Sequence, residues 1–368
     1  MDRFHWLSQT LEGDVLQPVW FRDRAEIEAE FGPGSYPVYA RGRFRYHWFM
    51  AWRFQGLRRR VEVMRFYLRA GLRLLRERRY DCIVVYSHMA TGVLAGVLKL
   101  LTGVNTVVEV VTVPNLAYLA DAEKPGIRQR LLHLYSDICL HLSLIMGARS
   151  HLLYPSALAP YRLLNRKPVS VFHEFVPVSN VGCARTETPE GRYVLLAGAP
   201  WYLKGADLLI QAFRNINADF PDLKLKILGH FENRRELDAL IAGSRNIEIL
   251  KPRPNPEAIK IIASAAVMVL PSRCEGMGRV LLEAMSAGVP VIGSDTGGIP
   301  FLLKDGQCGL IFRSGDAAEL EQRLRELLAS AELRERLSQA GLRRARCELS
   351  EKHYVERFTA MIEAAARS

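Results

Sequence analysis

From residue 192 onward, short apolar runs alternate with longer stretches in which apolar residues recur every three or four positions. RYVLLAGA reads as a strand, and KGADLLIQAFRNI after it reads as a helix with Leu208, Leu209, Ala212, Phe213 and Ile216 on one face. The alternation continues through LKLKILGH, RRELDALIAG, IEIL, EAIKIIASA, VMVLPS, GRVLLEAMSAG and VPVIGSD. Strands that alternate with helices predict a parallel sheet with both faces covered. Ligands of such sheets sit beyond the carboxyl ends of the strands. Residues 316–347 read as helical and charged, and 350–366 as a last amphipathic helix.

The first half is less regular. A short helix precedes GDVLQPVW, which reads as a strand; a poorly patterned stretch follows, then a basic helical region over 50–79. The longest apolar stretch, Cys82 to Val113, divides into strand-like CIVVYSH, helical ATGVLAGVLKLLTG ending at Gly103, and strand-like NTVVEVVTV. The helix, about 14 residues, is too short to cross about 30 Å of hydrocarbon, so a β-α-β unit is expected. A helix near 127–135 with further turns to about 148 follows, and VSVFHEFVPV is the last strand of this half. Residues 179–191 are polar with Gly and Pro and read as a linker. The expected organisation is an α/β domain over 1–178, the linker, a second α/β domain over 192–349 and a final helix over 350–368.

A chain of 368 residues accommodates about two domains. Its 49% hydrophobic content excludes disorder as the main state. Six cysteines without a CxxC pair point to reduced, packed thiols in a cytoplasmic protein, not to a disulfide scaffold or a structural zinc site. The N-terminal MDRFHWLSQTLEGD lacks the apolar run of a signal peptide. Net charge changes the picture most. Between Arg41 and Tyr80 stand thirteen Arg and two Glu, which accounts for the whole formal charge of +11. A solvated face is the simplest reading. Arginines mixed with Phe44, Tyr46, Trp48, Phe49, Trp52 and Phe54 also suit an anionic membrane surface. Nucleic-acid binding is a third reading, without an RRM, helix-turn-helix or zinc-finger pattern behind it.

The chemistry concentrates in PSRCEGMGRVLLEAMSAGVPVIGSDTGGIP, residues 271–300. Glu275 falls in the loop after a buried strand, and Glu283 eight residues on, within the following helix. The tight turn through Gly276 and Gly278 directs backbone N–H groups at the cleft, where a helix N-terminus suits an anionic phosphate. Two carboxylates there would repel phosphate, so their natural partners are sugar hydroxyls. Gly297 and Gly298 offer a second close approach of backbone to a diphosphate.

Glu275 and Glu283 in this setting, followed by AGVPVI and GGIP, resemble the donor-site signature of the family 4 retaining glycosyltransferases. The resemblance is specific over 192–300. It implies the GT-B fold, in which two Rossmann-like α/β domains face a cleft. It assigns Glu283 to the ribose hydroxyls, Glu275 to the transferred sugar, and Lys204, after Gly198 in GAPWYLKG, to the diphosphate. Arg253, in KPRP, is a candidate near the base. The family's sugar-contacting histidine has no clean counterpart here, and His88 is only nearby in position; His173-Glu174 suits an inter-domain structural role.

The chain departs from the family at three further places. Ala199 stands where an Arg is expected, and Phe301 where an acidic residue follows GGIP. Met1 opens directly into what reads as the first helix, so the start is expected to be internal or truncated, with a strand of roughly 6–8 residues missing from the N-terminal domain. The resemblance implies a retaining, metal-independent hexosyl or N-acetylhexosaminyl transfer from a UDP- or GDP-sugar, with no cofactor. The acceptor would be a glycan or polyprenyl-linked precursor of cell-surface polysaccharide, at the cytoplasmic membrane face that residues 41–80 would dock. The final helix, 352–366, would cross back to the first domain. A non-catalytic nucleotide-sugar-binding subunit is the alternative, and a basic nucleic-acid-binding α/β protein a more remote one.

Overall fold

The computed structural model describes residues 3–19, 27–29, 38–111, 126–161, 168–177, 192–231 and 234–367. The predicted linker over 179–191 lies outside them. In chain order, α1 (Arg3–Leu7) leads into β1 (Gly13–Val19), β2 (Val38–Arg41) and β3 (Phe44–Met50). These strands form a sheet in the order β1-β3-β2, with β1 parallel and β2 antiparallel to β3. Residues 38–50 of the poorly patterned stretch are therefore a strand pair. Its signal was the alternation of Phe44, Tyr46 and Trp48, diluted by arginine and histidine at the intervening positions. Phe44 and Tyr46 are buried, Tyr46 stacks on Trp48, and Phe49 stacks on Phe66 at 4.9 Å. Phe44 and Tyr46 thus pack inward, which corrects the bilayer-facing reading for these two; Trp48, Phe49 and Phe54 are half-buried, and the side chain of Trp52 lies outside those described.

A long helix α2 (Gly56–Glu77) follows, then β4 (Cys82–Val85), α3 (Ala90–Thr102), β5 (Asn105–Val110), α4 (Ile127–Met146), β6 (Arg149–Leu152) and β7 (Val169–Val171). The four strands are parallel, in the order β4-β5-β6-β7. α3 ends as expected at Gly103, which adopts φ 75° and donates its N–H to the Lys99 carbonyl. α4 is one continuous helix of 20 residues, longer than the sequence pattern indicated. β6 was not legible, because RSHL has no apolar alternation. Only Val169–Val171 of VSVFHEFVPV is a strand; residues 172–177 leave the sheet.

The C-terminal half has the expected regular alternation from β8 (Tyr193–Ala197) through α5 (Ala206–Ile216), β9 (Lys224–Leu228), α6 (Arg234–Ile241), β10 (Ile247–Leu250), α7 (Asn255–Ala263), β11 (Val267–Leu270) and α8 (Arg279–Ser286) to β12 (Val291–Ser294); the short α9 (Ile299–Leu302) and β13 (Leu310–Phe312) follow, and the pattern indicated neither. All six strands pair in parallel, in the order β10-β9-β8-β11-β12-β13. This is the doubly wound order, with its topological switch point between β8 and β11. Residues 316–347 divide into α10 (Ala317–Ala329) and α11 (Ala331–Cys347), because Ser330 caps the second helix by accepting a hydrogen bond from the Leu333 N–H. The last helix, α12 (Glu351–Ala366), lies against α1, β4 and β5, and its Tyr354, Phe358 and Met361 join Leu7, Phe44 and Phe172 in one apolar cluster.

A polar network is buried beneath that cluster. Arg3 donates to Glu109 at 2.9 Å and to the Tyr354 hydroxyl at 2.8 Å, and His151 Nδ1 lies 2.8 Å from Glu109. Burial would raise the Glu109 carboxyl, but the Arg3 charge and the His151 hydrogen bond outweigh it and hold it below its ordinary range. One buried carboxylate thus fastens α1, β5, β6 and α12 together.

Candidate active site

The carboxyl ends of β8, β11 and β12 carry three loops that interlock. The first runs over 198–205, the second over 271–278 and the third over 295–298. Their contacts are backbone to backbone, and two of them require glycine. Gly205 has φ 71°, and a Cβ there would lie 2.0 Å from the Pro271 carbonyl oxygen. Gly297 has φ 59°, and a Cβ there would lie 1.8 Å from the Glu275 carbonyl oxygen. Neither the conformation nor the space admits a side chain. Gly298 donates its N–H to the Gly276 carbonyl at 2.7 Å, and the Arg273 N–H binds the Leu203 carbonyl at 2.8 Å. Arg273 also forms a two-pronged pair with Asp207, at 2.8 and 2.6 Å, tying the second loop to the start of α5.

This scaffold brings Lys204 and Glu275 together at the switch point. Lys204 Nζ lies 2.6 Å from Glu275 Oε2, with the two side chains 18% and 13% exposed. Glu275 Oε2 also accepts from the Ser272 hydroxyl at 3.2 Å, and Oε1 from the Gly276 N–H at 3.1 Å. The carboxylate is thereby fixed in direction. The ammonium has three donors and spends one on Glu275. The stem of Lys204 runs beside Gly198, where a Cβ would sit 3.3 Å away. A cation and a carboxylate held side by side at a sheet switch point can receive a phosphate and a hydroxyl of the same ligand.

Glu283 lies on one side of α8, just over one turn in from its N-cap, Gly278. Burial raises its carboxyl above the ordinary range, and the positive charge of Arg279 offsets this only in part. A desolvated carboxylate of this kind favours a hydroxyl donor as partner. Arg279, at the first position of α8, lies 3.6 Å from Glu174, which is itself 3.9 Å from Arg3. Sequence reasoning missed Arg279, Ser272 and Arg273, although all three lie within the motif.

The remaining candidates are placed apart. Arg253 is half-exposed and lies 3.9 Å from Glu257, with no bond to the loops described above. His88 follows β4 in the N-terminal half. Both its ring nitrogens are buried without a hydrogen-bond partner among the described residues, and burial lowers its pKa to about 4. His173 is similarly buried, and burial with the charges of Arg344 and Arg357 lowers it to about 3. Its ring lies 4.7 Å from that of Phe301, whose carbonyl accepts from Arg344 at 2.6 Å. The Phe301 departure thus has a packing partner in the N-terminal half. Tyr154 makes a second contact there, its ring edge 2.9 Å from where a Cβ on Gly298 would lie. Ala199, by contrast, is exposed.

Residues 185–344 match a family model described as glycosyl transferases group 1. A D-inositol 3-phosphate glycosyltransferase of Geodermatophilus obscurus is 33% identical over 186 residues, which is 47% of this chain and 40% of that protein. The chain spans less than half the length of the curated relatives it matches. Over the whole fold, the chain is similar to sucrose-phosphate synthase of Thermosynechococcus elongatus (TM-score 0.72, 17% identity, covering 96% of this chain and 99% of that one). It is also similar to HepE of Anabaena solved with UDP and glucose (TM-score 0.72, 14% identity, 96% and 100%). At these identities the likeness shows the architecture, two Rossmann-like α/β domains of the GT-B type.

Proposed function

We propose that the chain is a glycosyltransferase that moves a hexose or N-acetylhexosamine from a nucleotide-diphospho-sugar, with retention at the anomeric carbon, to a glycan or lipid-linked acceptor. The observation that carries this reading is the Lys204–Glu275 pair at the switch point between β8 and β11. Lys204 neutralises the diphosphate as negative charge builds on it, and the N-terminus of α8 adds backbone dipole on the same side. Glu275 accepts from hydroxyls of the transferred sugar and offsets positive charge developing at the anomeric carbon. Glu283 accepts from the ribose. The leaving diphosphate helps take the proton from the attacking hydroxyl, so the reaction uses no protein nucleophile, metal or cofactor. Arg253 serves at the base and His88 on the acceptor side. The family match over 185–344 and the complex of HepE with UDP and glucose support a sugar-nucleotide donor.

In this reading residues 1–178 form the acceptor domain, 192–349 the donor domain and 350–368 the helix that returns to the first domain. The acceptor is a surface-polysaccharide precursor presented at the cytoplasmic face of an anionic membrane, with the arginines of 41–80 as the contact. Among the described residues no helix is long and apolar enough to cross a membrane.

Thermal stabilisation by UDP, GDP and ADP tests the donor site. A shift for one nucleotide that Glu283→Ala abolishes is the expected result. No shift with any of them, or a shift indifferent to Glu283, defeats the proposal. Nucleotide binding without transfer to any acceptor would favour a binding subunit, the reading to which Ala199 points.

A further inference from the structure

Phe44 and Tyr46 turn inward, yet the N-terminal half carries a large apolar surface elsewhere. Along α4, Ile127, Leu131, Leu134, Ile138, Leu142 and Ile145 are between 41% and 79% exposed. Their spacing of three or four places them in one row, about 27 Å long at the rise of an α-helix. On the neighbouring α3, Leu100 and Leu101 are exposed as well. α4 packs closely on α3, since a Cβ on Gly96 would lie 2.4 Å from Met146, and α3 packs in turn on α2. The three helices form one layer. Monomeric proteins rarely leave so long an apolar row in water.

The charges beside the row indicate what covers it. α4 has Arg128, Arg130 and Asp137 as its only charged residues, without the alternating acids and bases that would set a pairing with a second α4. On α2, Arg58, Arg60, Arg65, Arg69, Arg73 and Arg76 are exposed, against Glu62 and Glu77. Arg65, Arg69 and Arg73 line an open groove of about 370 Å³ floored by Phe49 and Phe66. Glu62 also lines the groove and is engaged by Arg65 at 2.8 Å. A second copy seated on this layer would bring two arginine faces together. An anionic bilayer supplies both needs, hydrocarbon for the row and phosphate for the arginines.

We propose that the outer face of the α2–α3–α4 layer is a monotopic docking surface for an anionic membrane, with the α4 row entering the interface and the α2 arginines holding head groups. Resting on the glycosyltransferase reading, this also orients the cleft. α4 begins after the carboxyl end of β5, the same edge at which His88 follows β4, so its first turn lies on the cleft side of the sheet. A lipid-borne acceptor would reach the cleft without leaving the bilayer surface.

Flotation of the full chain with phosphatidylcholine vesicles, with and without phosphatidylglycerol, tests the surface. Binding should require phosphatidylglycerol and weaken with salt. Leu131→Glu/Leu134→Glu/Ile138→Glu should lower the bound fraction about tenfold or more. Arg65→Glu/Arg69→Glu/Arg73→Glu should remove the preference for phosphatidylglycerol. These positions are exposed, so the variants should keep the wild-type melting temperature and nucleotide shift. Wild-type binding by the α4 variant, or absence of wild-type binding, overturns the proposal. A wild-type dimer in sedimentation that the α4 variant dissociates, without vesicle binding, assigns the row to a second copy instead. Vesicle binding in a chain that no nucleotide stabilises would leave the docking surface standing and defeat the donor reading.

Discussion

Lys204 and Glu275 lie 71 positions apart in the chain and 2.6 Å apart in space. Each fixes the other: the ammonium and the Ser272 hydroxyl both donate to Oε2 of the carboxylate, while the Gly276 N–H holds Oε1. Substituting either residue removes an electrostatic partner of the reacting groups and misdirects the one left behind. Lys204→Ala and Glu275→Ala are each expected to lower turnover by about 10²-fold or more, with nucleotide stabilisation reduced for Lys204→Ala and largely kept for Glu275→Ala. Single-turnover transfer assays beside thermal shifts measure both, and near-normal turnover in the two variants removes the pair from the mechanism. Both residues were legible in the sequence as motif positions. Their direct contact was not, because it depends on how the loops after β8 and β11 meet.

Those loops act as a unit. Gly205 and Gly297 are the points where the 271–278 loop is gripped from either side by neighbouring backbone. Alanine at 297 would force a left-handed residue to carry a Cβ and drive that Cβ into the Glu275 carbonyl. The left-handed conformation costs about 1–2 kcal/mol and the overpacking about 1–3 kcal/mol. Gly297→Ala is therefore expected to lower unfolding free energy by about 2–5 kcal/mol in urea titrations. A loss under about 0.5 kcal/mol, the range of neutral surface changes, would show that the loops yield independently. At this scale the sequence was informative where elements repeat locally. The alternation over 192–295 marked strands and helices because its strands are largely apolar and its helices amphipathic; β13, only three residues long, gave no such signal. β2, β3 and β6 escaped notice because their inward residues are interrupted by Arg, His and Ser, and only pairing with neighbours makes them strands.

Across the molecule, two buried histidines connect packing to pH. His173 packs on Phe301 between the two halves, and burial lowers its pKa to about 3; His88 is lowered to about 4 by burial. Both groups take up a proton more readily when unfolded, where the ordinary value is 6.5. The unfolded chain thus binds more protons below pH 6.5, so stability is full above that pH and falls as pH drops through 6.5 towards 4 and 3. At its steepest each histidine contributes about 1.4 kcal/mol per pH unit. His173→Phe, which keeps the ring beside Phe301, should flatten the melting temperature between pH 6 and pH 4 relative to the wild type. An unchanged profile would show that the ring is solvated when the protein is folded.

The sequence alone determined the α/β class, the parallel C-terminal sheet, the end of α3 at Gly103 and the residues that carry the candidate chemistry. All of these are written in local periodicity, in single glycines and in a short motif. Tertiary structure decided that Phe44 and Tyr46 face a core and that a row of leucines and isoleucines on α4 does not. An apolar residue at helical spacing has the same sequence signature whether another element covers it or not. It decided the Arg3–Glu109–His151 network for the same reason, since its members come from distant segments and none has a pattern of its own. Local periodicity fixes which way a residue points from its own backbone; what stands opposite is fixed only when the sheets, layers and loops are assembled.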